Sequence, residues 1–394
     1  MKLYAPPLIL KPGLLTSKDC LRPTRAEIDL ETIASNLRVI RRHLGETKII
    51  AVVKADAYGH GVEPVALRLQ ECGVDGFGVA LAEEGIELRQ AGIEVPVLIL
   101  NGVHGDAHRA MIEYKLTPVL YELREAQAFQ AAAKTGERVA AHLKIDTGMS
   151  RLGVPLRSLP AFLEELKKFP AIQLTGAMTH LADAEGDEET TRAQLARFEE
   201  GIKLLRAYGH DPHVIHTGNT AGALRFSETR GSWARIGIGL YGFSLHAGYE
   251  SELELAMRLR TEIISIRTIL PGERVGYSGT FTAKRETKVA TLALGYGDGL
   301  PRGLSNRGHA LVRGIRCPII GNISMDLTGI DVTAIPDVEL GEEAVLFGRQ
   351  GESVLTLGEV ASAAGILPYE VLTNVSRRVP RFYLAKNAEA GEDS

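Results

Sequence analysis

KIIAVVKA, residues 48–55, holds five consecutive apolar residues, Ile49 to Val53, and that run stops at a lysine, Lys54. The run is short and flanked by polar residues, which suits a strand buried on both faces. Seven comparable runs follow: GFGVAL (76–81), VPVLIL (95–100), LTPVL (116–120), VAAHLKI (139–145), LTGAMTHL (174–181), HVIHT (213–217) and ARIGIGLYG (234–242). Helical spacing lies between the runs. Ile33, Leu37, Ile40 and Leu44 form one stripe, and Leu195, Phe198, Ile202 and Leu205 another. Alternating strands and helices imply a parallel sheet. Eight units in about 220 residues suit a closed, TIM-like (β/α)8 barrel. An open doubly wound sheet is the structural alternative, but the first unit has no GxGxxG to favour it.

After about residue 255 the texture changes. Runs such as TEIISIRTIL (261–270), KVATLALGY (288–296) and CPIIGNISM (317–325) are separated by Pro-Gly, Gly-Asp-Gly and Arg-Gly turns. This reads as a mainly-β C-terminal domain. The expected organisation is α/β: an N-terminal extension over 1–21, a barrel over 22–255, and a β domain over 256–394. A first strand at 25–30 is able to pair with the C-terminal domain. The final AGEDS is polar and reads as loose.

Composition is that of an ordinary globular chain, 45% apolar and 24% charged. A net charge of −4, without a basic stripe, argues against nucleic acid as a partner. No run reaches the roughly 18 apolar residues of a membrane helix, and the N-terminal MKLYAPPLILKPGLL lacks the unbroken apolar core of a signal peptide. Cys20, Cys72 and Cys317 are scattered, with no disulfide framework or metal-ligand spacing. A cytoplasmic protein without a metal is the expectation.

In a βα barrel the site lies at the C-terminal ends of the strands. Lys54, Lys144, Arg151, His180, His216, Asn219, Thr220 and Arg235 all fall there. A lysine at a strand end has an ordinary explanation: its stem packs and its head reaches water. Here a tyrosine and a flexible GHG follow it, and other polar groups share the mouth. A lysine so placed can lose its proton and form a Schiff base, for which pyridoxal phosphate (PLP) is the common aldehyde. Barrels often hold phosphate at the loops after strands seven and eight, where HTGNTAG and RIGIG lie.

Eight motifs stand in the order found in alanine racemases: AVVKADAYGHG (51–61), HLKIDTGMSRLG (142–153), MTHLADA (178–184), HTGNTAG (216–222), RIGIGLYG (235–242), GYSGTF (276–281), LALGYGDG (292–299) and GNISMD (321–326). The resemblance covers about residues 22 to 385. It implies a homodimeric PLP enzyme, an isomerase that interconverts L- and D-alanine by a two-base mechanism and supplies D-alanine for peptidoglycan.

The resemblance also implies roles. Lys54 resembles the lysine that holds PLP and serves as base on the D-face. Tyr58, Thr220, Gly237 and Ile238 match phosphate-binding positions, and Arg235 matches the arginine facing the pyridine nitrogen. An arginine keeps its proton, so it donates to that nitrogen and hardly protonates it. Tyr277 resembles the second base, reaching the partner subunit's cofactor. Free tyrosine titrates near 10, so it needs cationic help, for which His180 and Arg235 are the candidates. Arg151 would orient the substrate carboxylate, steadied by a carbamylated Lys144; a plain Lys144 paired with an acid is the alternative. Met325 and Tyr296 would come from the partner and narrow the pocket. Arg377, just before RVPR, departs from the pattern: many relatives carry a tyrosine there. The competing readings are a broader-specificity racemase, a PLP-barrel decarboxylase, whose cysteine-centred motif is missing, and a non-catalytic PLP-binding protein, which would resemble the barrel alone.

Overall fold

The computed structural model describes residues 21–244 and 252–384. The expected N-terminal extension, apart from Leu21, and the AGEDS tail lie outside the described residues. The chain divides into two units: residues 32–57 and 62–254 form one, and the described residues before 32, residues 58–61 and those from 255 onward form the other.

Strand β1 (Arg25–Asp29) belongs to the second unit. The barrel is built from β2 (Lys48–Val52), β3 (Gly76–Val79), β4 (Val97–Ile99), β5 (Thr117–Leu120), β6 (Val139–Asp146), β7 (Ile172–Met178), β8 (Val214–His216) and β9 (Trp233–Ile236). Each pairs in parallel with the next, and β9 pairs back onto β2, so the ring closes. Closure excludes the open sheet. It also explains the unbroken apolar runs, because helices cover the outside of the strands and side chains fill the inside. Ile33, Leu37, Ile40 and Leu44 are buried on the helix Leu30–Leu44. Leu195, Phe198, Ile202 and Leu205 are buried on Glu188–Ala207, whose start is capped by Asp187 accepting from Thr190 N–H at 2.9 Å. β6 is the longest barrel strand, and its pairing with β7 slips between Ala141 and His142, leaving Thr175 out of register. Such a bulge re-aims the side chains beyond it on the bulged strand, and His180 follows the end of β7, five residues past Thr175.

The second unit is mainly β. Its spine is the 13-residue strand Met257–Ile269, whose Met257, Leu259, Thr261 and Ile263 alternate inward. β1 lies between this strand and the last strand, Arg381–Leu384, antiparallel to one and parallel to the other. Thr287–Leu292 and Glu343–Gln350 also pair with the spine. Two short helices, Leu357–Ala364 and Pro368–Thr373, complete the unit.

Candidate functional site

Val53 extends the β2 ladder by donating to Gly78 O at 3.0 Å, and Lys54 follows. The backbone then reverses hand. Ala55, Asp56, Ala57 and Tyr58 all have φ between 51° and 54°, one turn of left-handed helix with no glycine in it. Left-handed geometry costs an L-residue about 1–2 kcal/mol. His60 is fully buried, with Nδ1 3.0 Å from Tyr58 O. Lys54 itself is half-buried. Burial and the nearby Arg151 push its pKa down, and Glu84 opposes them.

Lys54, Lys144, Arg151 and Arg235 act on one another at the barrel mouth. Lys144 is 5% exposed. Burial, then Arg235 and Arg151, push it down to about 8, against the pull of Asp146. Arg151 is exposed on the loop after β6. None of the four has an ion-pair partner among the described residues, so the acid partner considered for Lys144 is not found there. Buried charges are ordinarily paired; four gathered cations make a place for anions.

Arg235, 3% exposed, is held by an unusual set of acceptors. Nη1 donates to His216 O at 2.8 Å and to His216 Nδ1 at 3.0 Å. Nη2 donates to the carbonyls of Thr179 (2.9 Å) and Thr217 (3.0 Å) and to His180 Nδ1 (3.1 Å). A guanidinium only donates, so each of these Nδ1 atoms accepts and each ring keeps its proton on Nε2. His216 Nε2 then donates to His142 Nδ1 at 2.8 Å. All three rings stay neutral. Burial, reinforced by Arg235, pushes His180 down to about 2; burial with His213 and Arg235 brings His142 to about 3; His216 is also held well below its ordinary value by burial and Arg235. His180 therefore cannot supply the positive charge expected of it, and Arg235 remains as the cation. Burial lowers Arg235 only to about 10. Its Nε–H has no partner among the described residues.

Thr220 opens the short helix Thr220–Arg225, capped by Asn219 accepting from Gly222 N–H at 2.9 Å. Thr220 Oγ1 accepts from Gly237 N–H at 3.1 Å. That bond occupies the Gly237 donor and leaves the hydroxyl proton free to turn outward. Ile238 begins the next helical turn, Ile238–Tyr241, where first-turn N–H groups have no intrahelical acceptor.

Five expected residues fall in the second unit. Tyr58 is 7% exposed, its ring 6.2 Å from that of Tyr369, and burial raises its pKa. Tyr277, Met325 and Tyr296 are exposed by 74%, 52% and 42%. Hydrogen bonds tie their loops together: Asn322 Nδ2 donates to Tyr277 O at 2.9 Å, Tyr296 N–H to Ser324 O at 3.0 Å, and Gly297 N–H to Met325 O at 2.8 Å. Arg377 is exposed. His142 and Glu84 were missed by sequence reasoning. A histidine two residues before Lys144 shares its face of β6, and that spacing is a usable signal. Among the described residues no group of three or more His, Cys, Asp or Glu could hold a metal, and no helix is long and apolar enough to cross a membrane.

Two family models match the chain, "Alanine racemase, N-terminal domain" over residues 28–245 and "Alanine racemase, C-terminal domain" over 256–383. An alanine racemase of Sorangium cellulosum is 45% identical over 376 residues, covering 92% of this chain and 99% of its own. The crystal structure of alanine racemase from Bacillus anthracis with bound L-Ala-P is 33% identical, with a TM-score of 0.87 over 95% of this chain and 97% of its own. The alanine racemase of Bartonella henselae with covalently bound pyridoxal phosphate is 30% identical, with a TM-score of 0.84 over 92% and 99%.

Proposed function

The chain belongs to the alanine racemase family, and from that premise we propose how its residues share the reaction. The protein is an isomerase that interconverts L-alanine and D-alanine with pyridoxal 5′-phosphate. The observation that carries the assignment of residues is the set of four basic side chains at the barrel mouth that make no ion pair among the described residues. A phosphate, a phenolate oxygen and a substrate carboxylate are the anions such a mouth would take.

The residues fit the cofactor. Arg235 has an Nε–H without an acceptor among the described residues, and it would give a hydrogen bond rather than a proton to a ring nitrogen. Thr220, Ile238, Gly237 and Tyr58 would hold the phosphate, with Gly237 acting through the Thr220 hydroxyl it positions. Lys54 would tether the aldehyde carbon. When bound, PLP makes the alanine Cα–H acidic by accepting the electron pair left behind.

Burial and Arg151 lower the pKa of Lys54, which favours the neutral amine able to take a proton at Nζ on one face of Cα and return it. Tyr277 of the partner subunit, through its phenolic oxygen, serves the opposite face. Arg151 binds the substrate carboxylate. Lys144, as a neutral amine at its lowered pKa, adds carbon dioxide and releases a proton. The resulting carbamate anion steadies Arg151. Met325 and Tyr296 of the partner close the pocket over a small side chain. The exposed loops bearing Tyr277, Tyr296 and Met325 support a homodimer, because linked exposed apolar side chains mark contact surfaces. A cytoplasmic supply of D-alanine for peptidoglycan is the role that fits.

The test is L-alanine with purified protein in heavy water, followed by chiral separation and mass analysis. D-alanine carrying deuterium at Cα is expected. No D-alanine, with PLP demonstrably bound, overturns the reading, and serine, lysine and arginine would then be tried, with Arg377 as the residue to exchange first.

A further inference from the structure

Glu84 has no part in the reading above. It lies in the first turn of the helix Ala82–Gln90, one βα unit along from Lys54. Its Oε2 accepts from Ala80 N–H at 2.7 Å and Leu81 N–H at 3.1 Å. These two bonds are local, the reach of a third-position glutamate back over the start of its own helix. The other oxygen does something a helix cap does not require. Oε1 accepts from Ala55 N–H at 2.7 Å, across 29 residues of sequence.

Ala55 is the first of the four left-handed residues. The other side of the turn is held by Asp56, whose Oδ1 accepts from Val62 N–H at 2.7 Å. Left-handed L-residues persist only where their surroundings over-determine them. Two carboxylates, one from another βα unit, do that here. The charged and titratable groups that face Lys54 within the barrel unit are Arg151, Lys144, His180 and Glu84. Glu84 is the only acid among them.

We propose that Glu84 is a positioning residue for Lys54. Its carboxylate anchors the left-handed turn through Ala55 N–H and sets a negative charge beside the lysine amine. The proposal rests on the reading of Lys54 as the cofactor-bearing lysine. Glu84 touches no reacting atom. It fixes where the lysine points and opposes the cations that drive off its proton.

Two variants separate the effects. Glu84→Gln keeps the shape and one carbonyl oxygen but removes the charge. Glu84→Ala removes the anchor as well. Hydrogen exchange of holoenzyme amides over residues 55–58 is expected to speed up at least about tenfold in Glu84→Ala, because the turn opens without its anchor. If that variant does not fold, the same exchange is read in Glu84→Gln, where one oxygen cannot serve both Ala55 and Ala80. The charge is read in the full-length chain freed of PLP, by the rate at which trinitrobenzenesulfonate labels Lys54 as pH is raised. In Glu84→Gln the midpoint moves to lower pH, so labelling below the wild-type midpoint is severalfold faster. A purely structural role would change exchange and leave that midpoint in place. Unchanged exchange, or a midpoint that stays or rises, overturns the proposal. Borohydride reduction of wild-type holoenzyme, followed by peptide mapping, tests the premise separately. A pyridoxyl group on another lysine would end the reading of Lys54. A group on Lys54 with an unmoved midpoint in Glu84→Gln would end only the role of Glu84.

Discussion

At the scale of single residues, Arg235 serves the fold and, on the reading proposed above, the chemistry as well. Its two Nη atoms join the carbonyls of Thr179, His216 and Thr217 to the rings of His216 and His180. Arg235→Leu leaves these acceptors without their donor. At about 1–3 kcal/mol for each buried group that water does not reach, a loss of about 3–5 kcal/mol is expected in urea unfolding. Arg235→Lys keeps a charge and three donors, so it should lose less stability while still weakening cofactor retention. Tyr277 is the opposite case. It is 74% exposed, and its hydroxyl makes no hydrogen bond among the described residues. Tyr277→Phe should therefore melt within about 0.5 kcal/mol of wild type. Racemisation should fall by about 10²–10⁴-fold, the usual contribution of a positioned acid–base group. In heavy water, D-alanine should still exchange its Cα proton through Lys54 without inverting. Retained racemisation would remove Tyr277 from the mechanism.

At the scale of elements, the left-handed turn gives a counterintuitive expectation. Ala55 is exposed at φ 52°. Glycine is at ease there, and what it relieves, about 1–2 kcal/mol, exceeds the roughly 0.5–1 kcal/mol of chain entropy it adds. Ala55→Gly should raise the melting temperature, whereas a right-handed turn at 55–58 would make the same change destabilising. The hand of this turn was not legible in the sequence. Ala-Asp-Ala-Tyr carries no glycine, and the bonds that impose the hand come from Glu84 and Asp56 at positions 29 and 6 residues from their partners. The barrel strands were legible because closure buries both faces and leaves apolar runs. The strand-end rule then located Lys54, Lys144, His180 and Arg235. His142 was only half legible: its spacing from Lys144 marks a shared face of β6, but its room depends on the extra residue Thr175 in β7 and on a bare Gly176 opposite, where a Cβ would stand 2.4 Å from the His142 ring. The histidine row these strands carry has a pH consequence. Unfolded, the three rings take a proton near 6.5; folded, His142 waits until about 3 and His180 until about 2, with His216 also well depressed. The unfolded chain thus binds more protons below pH 6.5, so stability is whole above that value and falls as pH drops. Linkage puts the loss at roughly 2 kcal/mol each for His142 and His180 by pH 5, with His216 adding in the same direction. Urea midpoints of the protein at pH 7.5 and pH 5 measure it, and equal midpoints would contradict three neutral rings.

At the scale of the whole molecule, the proposed division of labour makes each active site belong to two chains. One chain supplies Lys54 and its partner supplies Tyr277, and a two-fold dimer repeats that exchange. Lys54→Ala and Tyr277→Phe should each be inactive as pure dimers. When equal amounts are co-expressed, half of the dimers are mixed. In a mixed dimer one site receives both defects. The other pairs the Lys54 of the tyrosine variant with the Tyr277 of the lysine variant, and is intact. About a quarter of wild-type activity should therefore return, as expected for random pairing in a closed two-fold assembly. Sites completed within one chain would give no recovery, since every chain in the mixture carries one defect. Recovery also requires exchange of subunits during assembly. The purified single variants, mixed after folding, should regain activity only as fast as dimers dissociate, and that rate reads the strength of the proposed interface at Tyr277, Tyr296 and Met325.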